Sequence, residues 1–324
     1  MPRILVVAPN WIGDALMAQP LLSRLHEKAG GLQLDVLAPE WVAPVVRRMP
    51  EVHEALAVPF RHGGLQLRER WRIGRELRAR RYQQAIVLPN TWKSALVPFF
   101  ADIPLRSGYV GESRYGLLNL LYRKDAGPMT VHYARLSEPP GNELRLPLPP
   151  PRLESRGEDV EATRNRFGIV GRYAALCPGA EYGPAKRWPH FSELSRELSE
   201  RLGLQAVILG SARDAEAARG IRGRNLAGET TLDQAIDLIA GADVVVSNDS
   251  GLMHVAAALG RPLVALYGSS SPEHTPPLSD AARVLWLHIE CSPCFQRECP
   301  LGHFRCMRDM RVDLVLKEID NLTA

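Results

Sequence analysis

The sequence predicts an α/β protein made of two doubly wound domains with parallel sheets, and three observations carry that expectation. Short apolar runs bounded by turn residues alternate with segments of helical period, the pattern of strands joined by helical crossovers. The series occurs twice, on either side of a stretch rich in proline and charge. A chain of 324 residues also suits two cores of ordinary size better than one.

In the first series "RILVVAP" (3–9) reads as a strand, and Asp14 to Glu27 follow as a helix. "LQLDVLAP" (32–39), "HEALAVP" (53–59) and "QQAIVLPN" (83–90) repeat the strand signal. Before the last of these, "RHGGLQLRERWRIGRELRARR" (61–81) carries eight arginines against two glutamates. Part of it is helical, with Leu67 and Trp71 at a four-residue step and Arg68, Arg72 and Arg75 on a shared face. A solvated helix face accounts for some of this charge. The remainder, notably Arg61, joins Lys93, Arg106 and Arg114 as a candidate cradle for an acidic substrate, because the planar guanidinium fork grips two oxygens of a phosphate or carboxylate at once.

"SEPPGNELRLPLPPPRLESRGEDVE" (137–161) has no sustained apolar period and reads as a connector. The expected domains are therefore 1–150, with the linker, and 151–324. The second series runs through "YAALCPG" (173–179), "LQAVILGS" (204–211), "ADVVVSND" (242–249) and "RPLVALYG" (261–268), and Val312, Val315, Leu316 and Ile319 mark a closing amphipathic helix.

Several classes are disfavoured. The net charge of +4 is too small to imply nucleic acid, and no RRM, KH or helix-turn-helix pattern accompanies the arginines. The first apolar run is too short for a signal segment, and no stretch of about 18 apolar residues could span a bilayer. A cytoplasmic protein is expected, with any membrane contact peripheral. Neither G-x-x-x-x-G-K-[ST] nor G-x-G-x-x-G after the first strand is present, which argues against a P-loop hydrolase and a dinucleotide dehydrogenase.

Ligands of open α/β sheets bind beyond the carboxyl ends of the strands. In the second half those ends are Pro178–Lys186, Gly210–Asp214, Asn248–His254 and Gly268–Ser271. Asp249, Ser250 and Gly251 open a helix whose free amides favour an anion, and Lys186 and Arg187 could neutralise the same charge. The plain alternative is that Asp249 or Ser250 merely caps the helix. Asp14, at the first strand end of the first half, admits the same two readings: a cap, or a general base facing an interdomain cleft. Finally, Cys291, Cys294, Cys299 and Cys306 form C-x2-C-x4-C-x6-C, with His303 nearby. Four thiolates can close a structural zinc or iron site, and reduced thiols remain the alternative.

Together these segments resemble one family, the ADP-heptose lipopolysaccharide heptosyltransferases of glycosyltransferase family 9, and within it the branch that adds the second heptose of the inner core. The resemblance rests on "NWIGDALMAQPL" (10–21), "RRMPEVHEA" (47–55), "VLPNTWKSALVPFFADIPLRSGYVGESRYGLLN" (87–119), "CPGAEYGPAKRWPHF" (177–191), "NLAGETTLDQAIDLIAGAD" (225–243) and "SNDSGLMHVAAALGRPLVALYGSSSPEHTPPLS" (247–279), in the family's order. It implies a GT-B architecture, two Rossmann-like domains facing across a cleft with the sugar nucleotide held by the second. It implies inverting transfer of L-glycero-D-manno-heptose from ADP-heptose to the first heptose of a Kdo–lipid A core, with no catalytic cofactor. Carried over by residue, the base falls on Asp14, the phosphate lysine on Lys186, and donor contacts on Thr230, Thr231, Asp249, Ser250, Gly251 and His254, with Asp249 and His254 reaching sugar hydroxyls. The arginine-rich half would meet the anionic acceptor at the cytoplasmic face of the inner membrane. Rival readings are a first heptosyltransferase acting on Kdo, a nucleotide-sugar epimerase, and a binding module of similar architecture.

Overall fold

Both halves of the chain build the same sheet. The computed structural model describes residues 2–61, 63–124 and 127–323, and the chain divides between Pro150 and Pro151 into two units.

The first unit runs β1 (Arg3–Val7), α1 (Ile12–Met17), α2 (Gln19–Lys28), β2 (Gln33–Pro39), α3 (Ala43–Arg47), β3 (Val52–Val58), α4 (Leu67–Leu77), β4 (Gln84–Val87), α5 (Leu96–Phe100), β5 (Leu105–Tyr109), β6 (Leu120–Tyr122) and α6 (Met129–Ala134). Its six strands are parallel in the order β3-β2-β1-β4-β5-β6. The helix expected over Asp14–Glu27 is instead two. Pro20 has no N–H to continue the ladder, so α1 ends at Met17, Ala18 serves as the junction, and α2 restarts at Gln19. Leu5, Leu37, Val87, Ile73 and Val97 meet in the core. α4 and α5 cross there at Gly74, where a β-carbon would lie 2.5 Å from Phe100 Cβ.

The second unit runs α7 (Gly157–Arg166), β7 (Tyr173–Cys177), α8 (Phe191–Leu202), β8 (Gln205–Ile208), β9 (Arg224–Asn225), α9 (Leu232–Ala240), β10 (Val244–Asn248), α10 (Gly251–Ala258), β11 (Leu263–Tyr267), β12 (Ala282–Trp286), α11 (Arg305–Arg308) and α12 (Val312–Thr323). Its order, β12-β11-β10-β7-β8-β9, is again parallel throughout. β7, β10 and β11 are buried along their whole length, which explains why they read as unbroken apolar runs. The closing helix is α12, with Val312, Val315, Leu316 and Ile319 buried. Each unit thus has the doubly wound Rossmann order, and the direction of winding reverses once, between β1 and β4 in the first and between β7 and β10 in the second. A crevice opens beyond the strand ends at such a reversal.

Candidate active site

At the β7/β10 reversal the second unit gathers the residues that follow those two strands. Asn248, the last residue of β10, is fully buried and staples the two loops: its Nδ2 donates to Pro178 O at 2.7 Å and its Oδ1 accepts from Trp188 N at 3.2 Å. Asp249 is 6 % exposed, and a single oxygen, Oδ2, accepts both Lys186 Nζ and Ser270 Oγ at 2.5 Å. A carboxylate so engaged does not cap α10. Ser250 occupies the cap position with no side-chain cap bond, its Oγ lying 3.3 Å from Ser247 Oγ. The amides at the start of α10, from Gly251 on, therefore have no side-chain cap, beside a lysine, which is the arrangement an anion needs.

His254 lies one turn into α10, 7 % exposed. Burial pushes its imidazole down to about 4, with Asp249 opposing and Lys186 reinforcing the shift, so the ring is neutral at pH 7. Thr231 caps α9 in a reciprocal capping box with Gln234, so its Oγ1 accepts the Gln234 amide and keeps its own proton to donate. Thr230, before it, is half-buried.

Lys186 itself sits on a short turn held from outside the sheet. Ala185 N donates to Arg297 O at 3.0 Å and Tyr182 Oη to Phe295 O at 2.6 Å, while Lys186 Nζ lies 4.9 Å over the Tyr182 ring. The turn needs Gly183, whose φ is +154° and where a β-carbon would stand 2.4 Å from Arg297 O. The same cysteine-bearing loop reaches the end of β11 through Phe295 N to Ser269 O (2.7 Å) and Ser292 Oγ to Gly268 O (2.6 Å).

At the β1/β4 reversal of the first unit stands Asp14, in the first turn of α1. It is not a cap: the cap position is Trp11, and no side chain caps the helix there. Burial alone raises its carboxyl from 3.8 to about 6, into the range where a carboxylate is a competent base near neutral pH.

The expected cationic cradle requires correction. Arg114 is 1 % exposed and spends its guanidinium on Tyr109 O, Pro89 O, Thr91 O and Asn90 Oδ1. Burial pushes it down to about 10, with Glu112 opposing, which leaves it charged. It clamps the loop after β4. Arg106 likewise donates to Ile103 O, Leu117 O and Gly116 O. Lys93 Nζ holds Gly63 O at 2.8 Å. Of the four, Arg61 alone presents a side chain without a recorded partner among the described residues. It lines an open groove of about 910 Å³ whose other charged residues are Glu40, Arg68 and Glu69, with Trp41, Phe60 and Leu67 as its apolar part.

The expected metal cage is not formed either. All five cysteines are free thiols. Burial and the fields of Cys291, Cys294 and Cys299 push Cys306 up to about 11, so the four are neighbours. Among the described residues, however, three metal-ligating atoms come within 4.8 Å of one another only at Asp35, His53 and Glu54, and the four sulfurs do not fit the tetrahedron that zinc or iron requires. Nor is the Asp35 group an open site. Asp35 accepts Tyr82 Oη at 2.6 Å, His53 Nδ1 at 2.9 Å and Arg80 Nη1 at 3.1 Å, and Arg80 also grips Glu54, making a closed ion-pair network.

Ser270 is a site residue that sequence reasoning does not single out. It had a signal, since it follows the strand next to β10; the spacing alone could not show its bond to Asp249.

The pattern of glycosyltransferase family 9 (heptosyltransferase) matches residues 70–305. Lipopolysaccharide heptosyltransferase 2 of Escherichia coli is 45 % identical, with 99 % of this chain and 98 % of that protein aligned. Lipooligosaccharide heptosyltransferase 2 of Haemophilus ducreyi is 41 % identical over 99 % of both. The solved structure of E. coli ADP-heptose lipopolysaccharide heptosyltransferase II superposes with a TM-score of 0.88 at 43 % identity, covering 99 % of this chain and 98 % of that one. With its two parallel Rossmann-order sheets matching that GT-B structure, the chain belongs to glycosyltransferase family 9, the heptosyltransferases.

Proposed function

We propose that the protein transfers L-glycero-D-manno-heptose from ADP-heptose, with inversion, to the first heptose of a Kdo–lipid A core. The observation that carries this reading is the uncapped start of α10 beside Lys186, a built site for a diphosphate. The acceptor hydroxyl attacks the anomeric carbon and its proton passes to the Asp14 carboxylate. The bond from that carbon to the β-phosphate oxygen breaks, and ADP leaves with the electron pair. Lys186 and the α10 amides stabilise the charge that accumulates on the departing phosphate. Asp249, with Ser270, orients Lys186, and neutral His254 serves sugar hydroxyls as a hydrogen-bond partner. Thr230 and Thr231 attend the adenosine. Arg61, at the mouth of that groove, meets the anionic sugars of the acceptor.

No helix among the described residues is long and apolar enough to cross a membrane. The enzyme works from the cytoplasmic side on a membrane-borne acceptor. Incubation with ADP-heptose and defined truncated acceptors, followed by mass spectrometry of the lipid, tests the assignment. One heptose gained only on a monoheptosylated acceptor is expected. Gain on an unheptosylated Kdo acceptor would move the protein to the first transfer.

A further inference from the structure

The first unit exposes large apolar side chains beside cations that no acidic group neutralises, and the transfer chemistry uses neither. α4 turns Arg70, Ile73, Gly74 and Leu77 inward. Along its flank Leu67, Trp71 and Arg75 follow one another at four-residue steps and are exposed, Leu67 by 49 % and Trp71 by 55 %. The Arg75 guanidinium lies 6.0 Å over the Trp71 ring. On α5, packed against α4, Phe99 is 41 % exposed under the Arg106 guanidinium, 5.6 Å from its ring.

The surrounding charges sort cleanly. Arg70 donates to Leu65 O and Lys93 O, Arg78 pairs with Asp102, and Arg80 pairs with Asp35 and Glu54. Arg72 pairs with both Glu69 and Glu76, so the helix's only two acids are already neutralised. Arg68 and Arg75 remain without an acidic partner among the described residues. The charge left unpaired beside these apolar side chains is thus positive. A protein partner offers mixed charge, whereas a bilayer containing anionic lipid offers a uniformly negative plane above an apolar layer. Trp suits the boundary between them, and each basic side chain near such a plane contributes about 1 kcal/mol.

We propose that the α4–α5 face docks the first unit on an anionic bilayer surface, with Trp71 and Phe99 entering the headgroup layer and Arg68 and Arg75 meeting lipid phosphates. This rests on the acceptor being a membrane glycolipid, and it holds whichever sugar is transferred.

The test is flotation of the full-length protein with vesicles of phosphatidylglycerol and phosphatidylethanolamine, against vesicles of phosphatidylcholine alone. Wild type should float with the anionic vesicles, less so as salt rises. Trp71→Ser with Arg75→Gln should lower the partition coefficient about fivefold or more, the equivalent of about 1 kcal/mol for the lost cation before the lost ring is counted. Turnover on a water-soluble, delipidated acceptor should stay at the wild-type level in this variant and falls only with acceptor embedded in vesicles. Should the double variant lose soluble-acceptor turnover, Phe99→Ser read in the same flotation assay takes its place. Wild type that stays at the bottom with anionic vesicles, or variants that float as well as it does, overturns the proposal, and the first of these results transfers the face to a protein partner. Wild type that floats yet transfers no heptose would overturn the proposed reaction and leave the docking surface standing.

Discussion

At Asp14 burial and chemistry pull in opposite directions. Its carboxyl titrates at about 6 in the fold and near 3.8 when unfolded. Below pH 3.8 both forms are protonated and burial carries no charge penalty. As pH rises towards and through 6 the unfolded chain ionises first, and the fold loses stability, by about 1–3 kcal/mol once both are ionised. Asp14→Asn should therefore raise the melting temperature at pH 8 by a few degrees while lowering turnover about 10²- to 10⁴-fold. The wild-type rate should climb with pH through about 6. That limb belongs to Asp14, because His254 titrates near 4, and it should survive His254→Gln. A variant with normal turnover, or an acid limb that vanishes with His254, would remove Asp14 from its role. Sequence showed that Asp14 could be a base; its lack of a capping bond and its burial come from the packing of α1. Arg106 and Arg114 failed in the opposite sense. Their charge is plain in the sequence, but the carbonyls that consume it, such as Pro89 O and Leu117 O, belong to loops whose course no local pattern records.

Among the elements, the turn carrying Lys186 depends on a neighbour about 110 residues away, Arg297, whose carbonyl closes on Gly183. Gly183→Ala should push the turn outward, weakening ADP binding about tenfold by calorimetry, in line with losing a hydrogen bond to a charged group, while the protein stays folded. Gly203 provides the control. It too has positive φ, +62°, but nothing lies within 4 Å of the position its β-carbon would take, so Gly203→Ala should strain the backbone and leave ADP affinity alone. Equal losses at both would show that general destabilisation, not the Arg297 contact, was being measured. β7, β10 and β11 were the most legible elements, because full burial writes them as apolar runs, whereas β6, β9 and β12, not fully buried, left no such run to read. The break before Pro20 was missed: the residue that cannot donate to a helix stands in the sequence, but the apolar period on either side suggested one continuous element.

On the scale of the whole molecule, the repeated strand series and the doubly wound class stood in the sequence, and with them the rule that directs attention to strand ends. The ends that matter most, after β1, β7 and β10, are those at the two reversals of winding, and only strand order identifies a reversal. The Asp35 network was hidden for the same reason: it joins residues 18 to 47 positions apart through strand pairing. All six strands of each sheet come from one uninterrupted stretch of chain, and neither sheet borrows a strand from the other. During synthesis the first sheet has its full complement of strands once Tyr122 clears the ribosome, before any of the second is needed, so the halves can fold in turn as vectorial units. Residues 151–324 produced alone should then be cooperative in thermal melting and bind ADP with near-native affinity, yet transfer nothing until 1–150 is supplied. A molten or aggregated second half would mean that its sheet, complete on paper, needs the first as a template.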